Sequence, residues 1–144
     1  MRCMTIVHIR WSKLYNLSEI NHYEEAFSKG IYAIYRVYRG KEKLLYIGKT
    51  KRSFSKRLNE HYKEWIHGAR GIHVRLGMLE FPNGGKYSEQ KLSDVEALLI
   101  SWHTPLENTQ CTNYYIGREA LEVISFGQRG LIDKKITTQN YEWA

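Results

Sequence analysis

Arg57 and His61 stand four positions apart in a stretch where Phe54, Leu58, Tyr62 and Trp65 recur at helical spacing, so the two polar side chains share one helix face. A guanidinium there can grip an oxyanion with two parallel hydrogen bonds, and an imidazole can take up a proton near neutrality. Glu96 lies in Val95-Glu96-Ala97-Leu98-Leu99-Ile100, an apolar run in which an ionised carboxylate is costly to bury without a partner. A divalent cation is one such partner. Tyr32 and Tyr46 add phenols, Lys49 an ammonium, and Asn108 a side-chain amide that can fix a loop or orient neighbours. These types together match the needs of phosphodiester hydrolysis: a deprotonated water, countercharge for developing negative oxygens, and help for the leaving oxygen.

Taken singly, each residue has a plainer reading. Lys56, Glu60 and Glu64 show that much of the Arg57 helix is charged, so Arg57 and His61 can be a solvated face. Glu96 can be the salt-bridge partner of a basic residue such as Arg57, and a tyrosine and a lysine on a hairpin are ordinary surface residues.

The elements that must position these groups follow from periodicity. Thr5 to Trp11 alternates apolar Val7, Ile9 and Trp11 with polar His8 and Arg10, which predicts a half-buried strand. Asn16 or Ser18 can cap a short helix carrying Ile20, Tyr23, Ala26 and Phe27, ended by Gly30. Ile31 to Tyr38 and Leu44 to Gly48 predict a hairpin turning through Arg39 to Lys43. The Arg57 helix starts near Ser53 and stops at Gly68, and Gly71 to Phe81 reads as a further strand. After the turn signal Pro82-Asn83-Gly84-Gly85, Leu92, Val95, Leu99 and Trp102 mark a helix that must end before Pro105. A strand near Leu121 to Phe126 and a polar tail from about Lys134 complete the chain.

Gly30-Ile31-Tyr32 on the first hairpin strand, followed by Tyr46-Ile47-Gly48-Lys49 on the second, resembles the GIY-YIG nuclease family. Arg57, His61, Glu96 and Asn108 follow in the family's order. The resemblance covers roughly residues 30–110 and leaves 1–29 and 111–144 as extensions of a single 144-residue domain. It implies a metal-dependent endonuclease. Tyr32 would be the general base, assisted by His61 and Lys49. Arg57 would hold the phosphate, Tyr46 and Lys49 would complete its surroundings, and Asn108 would support the site. Glu96 would be the sole protein ligand of one Mg²⁺, for which Mn²⁺ can substitute; one carboxylate with waters and phosphate oxygens suits that ion's octahedral preference. His at position 61 looks more like the restriction-type members than the excision-repair members. Tyr114-Tyr115-Ile116-Gly117 repeats the second signature without a hairpin partner or a following Arg-bearing helix, and reads as a coincidental turn.

The charge balance agrees with a polyanionic partner. Twenty-two basic against 15 acidic side chains give +7, so DNA is the expected partner, with RNA also open. Aromatics mixed with bases, Tyr35, Arg36, Tyr38 and Arg39 and again His67, Arg70, His73 and Arg75, can form a backbone-tracking groove or pack in the core. Sequence or structure preference would then come from loops such as 67–86, a homodimer, or an accessory specificity protein. No run approaches the roughly 18 apolar residues of a membrane span, no secretion signal is evident, and Cys3 and Cys111 suit a reduced, structural role, so a cytoplasmic location is expected.

The expected fold is α+β: a small, mainly antiparallel three-stranded central sheet flanked by helices, GIY-YIG nuclease-like, with the site on the hairpin and its two neighbouring helices. The alternatives are a non-catalytic nucleic-acid-binding module on the same fold, or a scaffold whose tyrosines merely form a core.

Overall fold

Gly30–Tyr38 carries apolar side chains at both odd and even positions, so it has no polar face to offer water and must be covered on both sides. In the computed structural model, which describes residues 4–61, 71–109 and 114–138, Ile31 to Tyr35 are all completely buried. The strands are β1 (Thr5–Trp11), β2 (Tyr15–Asn16), β3 (Gly30–Tyr38), β4 (Lys41–Thr50), β5 (Ile72–Glu80), β6 (Leu121–Gly127) and β7 (Lys135–Thr137). Among the described residues, two α-helices, α1 (Phe54–His61) and α2 (Glu89–His103), and two 3-10 segments, Leu17–His22 and Glu24–Phe27, accompany them.

The expected three-stranded sheet flanked by helices is incorrect. The sheet has seven strands in the order β4-β3-β5-β1-β6-β7, with β2 also paired to β5, and it curls as a half-barrel with few helices. It is mixed, because β1 and β6 run parallel while the remaining pairs are antiparallel. The error lies in the terminal segments. β1 buries Val7, Ile9 and Trp11 and needs partners on both edges, which β5 and β6 supply. The polar tail contains β7, because Ile136 is buried and the Thr138 hydroxyl accepts from Leu121 N–H at 3.0 Å.

One face of the sheet, with Val7, Ile9, Ile31, Ala33 and Val123, packs on Leu92, Val95, Leu98 and Leu99 of α2. The other, with Tyr32, Ile34, Val74 and Leu76, packs on Phe54 and Leu58 of α1 and on Leu17, Ile20 and Ala26 of the 3-10 segments. The predicted short helix over 18–27 is 3-10 rather than α, with Asn16 Oδ1 accepting from Ser18 N–H at its start.

The β3–β4 hairpin places the site. Its turn is only Arg39-Gly40, both at positive φ (51° and 77°), which matches the right-handed twist of the strands it joins. A register shift between Ile34 and Tyr35 leaves Tyr46 opposite Ile34 and Gly48 opposite Tyr32. Directly opposed residues share a face. Tyr32, Tyr46 and Gly48 therefore point toward α1, while Lys49, opposite Ile31, points toward α2.

Candidate active site

Tyr32 lies across Gly48. A Cβ at Gly48 would come within 2.4 Å of the Tyr32 ring carbon Cζ and its hydroxyl, so only glycine lets the ring lie flat on β4. Phe54 meets the ring edge-on at 6.4 Å between centroids, and Tyr46 stacks alongside at 6.2 Å. Packed in this way, Tyr32 is 0% exposed and its ring does not project into open space. Burial pushes its phenol well above the ordinary range, the neighbouring Tyr46 adds to that, and Arg57 opposes it by charge and by a hydrogen bond to the hydroxyl.

Arg57 reaches Tyr32 from α1, whose first turn is capped by the Ser53 hydroxyl accepting from Lys56 N–H at 3.2 Å. Its Nη1 also lies 2.9 Å from Glu60 Oε2. Burial works against the guanidinium charge, but Tyr32 and Glu60 outweigh it and hold the group more firmly protonated than usual. Glu60 is shared with Arg52 at 2.5 Å. Sequence reasoning took Glu60 only as a sign of a charged helix face, although its i,i+3 spacing could have marked it as the partner of Arg57; Arg52 carried no motif signal. His61 lies in α1 one turn after Arg57; its side chain lies outside the described residues, as do Tyr62, Trp65, His67 and Arg70.

Glu96 comes from the opposite layer and reaches the site around the open edge of β4. Its Oε1 accepts from Lys49 Nζ at 3.0 Å, and its carboxylate also accepts from the Lys49 backbone N–H. Desolvation pushes the Glu96 pKa up, while Lys49 and then Arg57 pull it back. Its salt-bridge partner is thus Lys49 rather than Arg57, and Arg57 acts on it through its field. Tyr46, half-buried and with its pKa raised by burial, feels Glu96, Arg57 and Lys49 in turn.

Asn108 lies behind this cluster. Its Oδ1 accepts from Ile47 N–H and its Nδ2 donates to Ile47 carbonyl, both at 2.9 Å, so one side chain completes the β4 edge as a neighbouring strand would. Glu107 N–H does the same for the Leu45 carbonyl. The edge of β4 is therefore closed at 45 and 47, and Glu96 takes over at 49.

Tyr32, Tyr46, Lys49, Arg57 and Glu96 are brought together, and Asn108 supports the strand that carries two of them. Beside them opens a cleft of about 370 Å³ lined by Lys49, Lys51, Arg52, Arg57, Glu89 and Ser93 among others. The two stretches that mix aromatics with bases are divided between core and surface. Tyr35 is fully buried and Arg75 nearly so, paired with Glu42 through Nη2 and donating from Nη1 to the Gln128 carbonyl. Arg36, Tyr38 and Arg39 remain on the surface. Tyr115 hydrogen-bonds the Glu119 carbonyl at 2.6 Å outside any strand, in keeping with a coincidental motif.

Among the described residues no group of three His, Cys, Asp or Glu side chains is placed to hold a metal. Glu96 alone offers a fit. Its side chain is only 17% exposed, and two donors from Lys49 leave acceptor capacity on a group with about four lone-pair sites. A hard oxygen donor of this kind suits Mg²⁺ with water and phosphate as further ligands. No family model, curated protein or solved structure matches the chain.

Proposed function

We propose that this chain is a divalent-metal-dependent endonuclease of the GIY-YIG type, hydrolysing phosphodiester bonds in DNA. The observation that supports this reading is the cluster that Tyr32, Tyr46, Arg57 and Glu96 form from β3, β4, α1 and α2, with the Lys49 ammonium on the Glu96 carboxylate.

In this reading the substrate phosphate enters the cleft beside Lys49, Lys51, Arg52 and Arg57. A phosphate can take the place of the partly exposed Glu60 on Arg57, leaving the guanidinium's hydrogen bond to the Tyr32 hydroxyl in place to favour loss of the phenolic proton. Tyr32 then takes the water's proton. As it does so it would pass its own proton to His61, one turn beyond Arg57, and the burial that holds the phenol neutral is the cost this step must overcome. Lys49, held on Glu96 and lowering the Tyr46 pKa, would assist from that side, and Tyr46 would donate to the phosphate or to the attacking water. Glu96 would hold Mg²⁺ or Mn²⁺, which when bound supplies countercharge to the phosphate and the leaving oxygen.

The second reading is a nucleic-acid-binding module without cleavage. It is favoured by the complete burial of Tyr32 and by Lys49 occupying Glu96.

Tyr32→Phe, Tyr46→Phe and Tyr115→Phe, each removing one hydroxyl at nearly constant volume, separate the two readings in a cleavage assay with Mg²⁺. Tyr32→Phe is expected to lose at least about a hundredfold in rate and Tyr46→Phe about tenfold, with Tyr115→Phe cutting as wild type. An active Tyr32→Phe alongside a dead Tyr115→Phe would overturn the hairpin assignment, with melting curves excluding simple unfolding.

A further inference from the structure

A second cleft, of about 500 Å³, opens next to the first. It is lined by Phe27, Lys29, Met78, Leu79 and Tyr87 among others, and Arg52 lines both clefts. Three features of its wall are unusual. Phe27 is 64% exposed, although a phenyl ring gains most when buried. Lys29 Nζ lies 4.0 Å above the Tyr87 ring, a cation held over an aromatic face. The Tyr87 hydroxyl oxygen is buried and, among the described residues, has no hydrogen-bond partner.

We propose that this cleft is a subsite for one unpaired nucleotide next to the scissile phosphate, an inference that rests on the nuclease reading. A single strand is held by stacking platforms set along a basic track, and here Phe27 and Tyr87 supply rings while Lys49, Lys51, Arg52 and Lys29 supply the track. Arg52, shared by the two clefts, sets the spacing: a phosphate seated against Arg57 puts its neighbouring nucleotide on the Phe27 side. The volume lies within the ordinary range of about 300–1,000 Å³ for small-ligand clefts. A base paired within a duplex already has both faces stacked, so only an unpaired base, at a bulge, flap or end, has a face to offer Phe27. The Tyr87 hydroxyl then gains a partner in the base edge or sugar. The substrate this arrangement selects is therefore interrupted duplex rather than intact B-form DNA.

The test is binding by wild-type protein in chelator, so that nothing is cut. The probes are an intact duplex and the same duplex with one bulged 2-aminopurine, read by anisotropy and by 2-aminopurine fluorescence. Wild type is expected to bind the bulged duplex at least about fivefold more tightly and to quench the probe, the lower end of what stacking one base contributes. Phe27→Ala should remove both the preference and the quenching while leaving intact-duplex affinity unchanged. Because Phe27 is exposed, this variant should fold normally, and Phe27→Trp should restore the quenching.

Equal affinity for the two duplexes, or a bulge preference indifferent to Phe27→Ala, overturns the subsite. So does a shift from dimer to monomer in Phe27→Ala without loss of base discrimination, which would mean that Phe27 covers a second copy. None of these outcomes touches the cleavage reading, which is judged by metal-dependent cutting of the same two duplexes.

Discussion

Gly48→Ala tests how far the geometry of Tyr32 depends on the floor beneath it. The added Cβ would lie 2.4 Å from Tyr32 Cζ and from its hydroxyl, against the 3.0 Å that real Cβ contacts respect, so the ring must yield by about 0.6 Å. Gly48 does not use a positive φ, so the backbone itself tolerates alanine and the cost is purely one of space. The ring has nowhere easy to go. It is fully buried, with Phe54 against its edge and Tyr46 alongside. Overpacking of this kind costs about 1–3 kcal/mol. For the chemistry, a misplacement of about 1 Å lowers a rate by about a hundredfold, so a displacement near 0.6 Å should cost about tenfold or more. Urea unfolding and single-turnover cleavage of a labelled duplex measure the two effects separately. Wild-type stability together with wild-type turnover would mean that Tyr32 does not lie across Gly48, and the proposed path from water to phenol would fall with it.

Two further variants probe the support of the site and the core beneath it. Asn108→Ala deletes both hydrogen bonds to Ile47 and leaves its peptide groups without those partners; a loss of about 2–3 kcal/mol in urea unfolding is expected, and wild-type stability would show that the β4 edge is held by other contacts. Tyr35 has its pKa pushed up to about 12, chiefly by burial. A phenol raised above its unfolded value near 10 contributes stability in full below about pH 10 and loses it as pH climbs through 12, so about 2–3 kcal/mol should disappear across that window. Tyr35→Phe should flatten that slope, and an unchanged slope would assign alkaline unfolding to other groups.

Residues close in sequence were the legible ones. The hairpin could be read because a two-residue turn at positive φ brings Gly30-Ile31-Tyr32 and Tyr46-Ile47-Gly48 together locally. The end of α2 was legible for the same reason: Pro105 bars its continuation, with Thr104 at φ 42° turning the chain away, whereas its Ser88 cap, accepting from Lys91 N–H, was not read. What escaped depends on contacts between distant segments. Nothing local in Leu121–Gly127 says that it runs parallel to Thr5–Trp11, and β7 shows one buried apolar side chain, Ile136, in a polar context. Glu96 was recognisable as a carboxylate in need of a partner. That the partner is Lys49 follows from the β3–β4 register and from the open edge of β4, neither of which can be read from spacing. The sequence left Tyr35 and Arg75 open between a nucleic-acid groove and the core; both lie in the core, where Glu42 and the Gln128 carbonyl satisfy the guanidinium.

The central claim is that Glu96 makes cleavage metal-dependent while basic residues of the cleft supply affinity. Cleavage of DNA and RNA duplexes, and of bulged forms of each, should be followed during titration with Mg²⁺ or Mn²⁺ for wild type and Glu96→Gln, with binding measured in parallel by anisotropy at several salt concentrations. The expected result is cutting of DNA by wild type that saturates with metal and stops with chelator. Glu96→Gln should lose that cutting yet bind with similar affinity and a similar salt slope, about 0.9 per phosphate contact, because the variant removes a ligand charge and none of the lysines or arginines. Metal-saturable cutting by Glu96→Gln at the wild-type rate, or no cutting by wild type under any metal condition, would contradict the account.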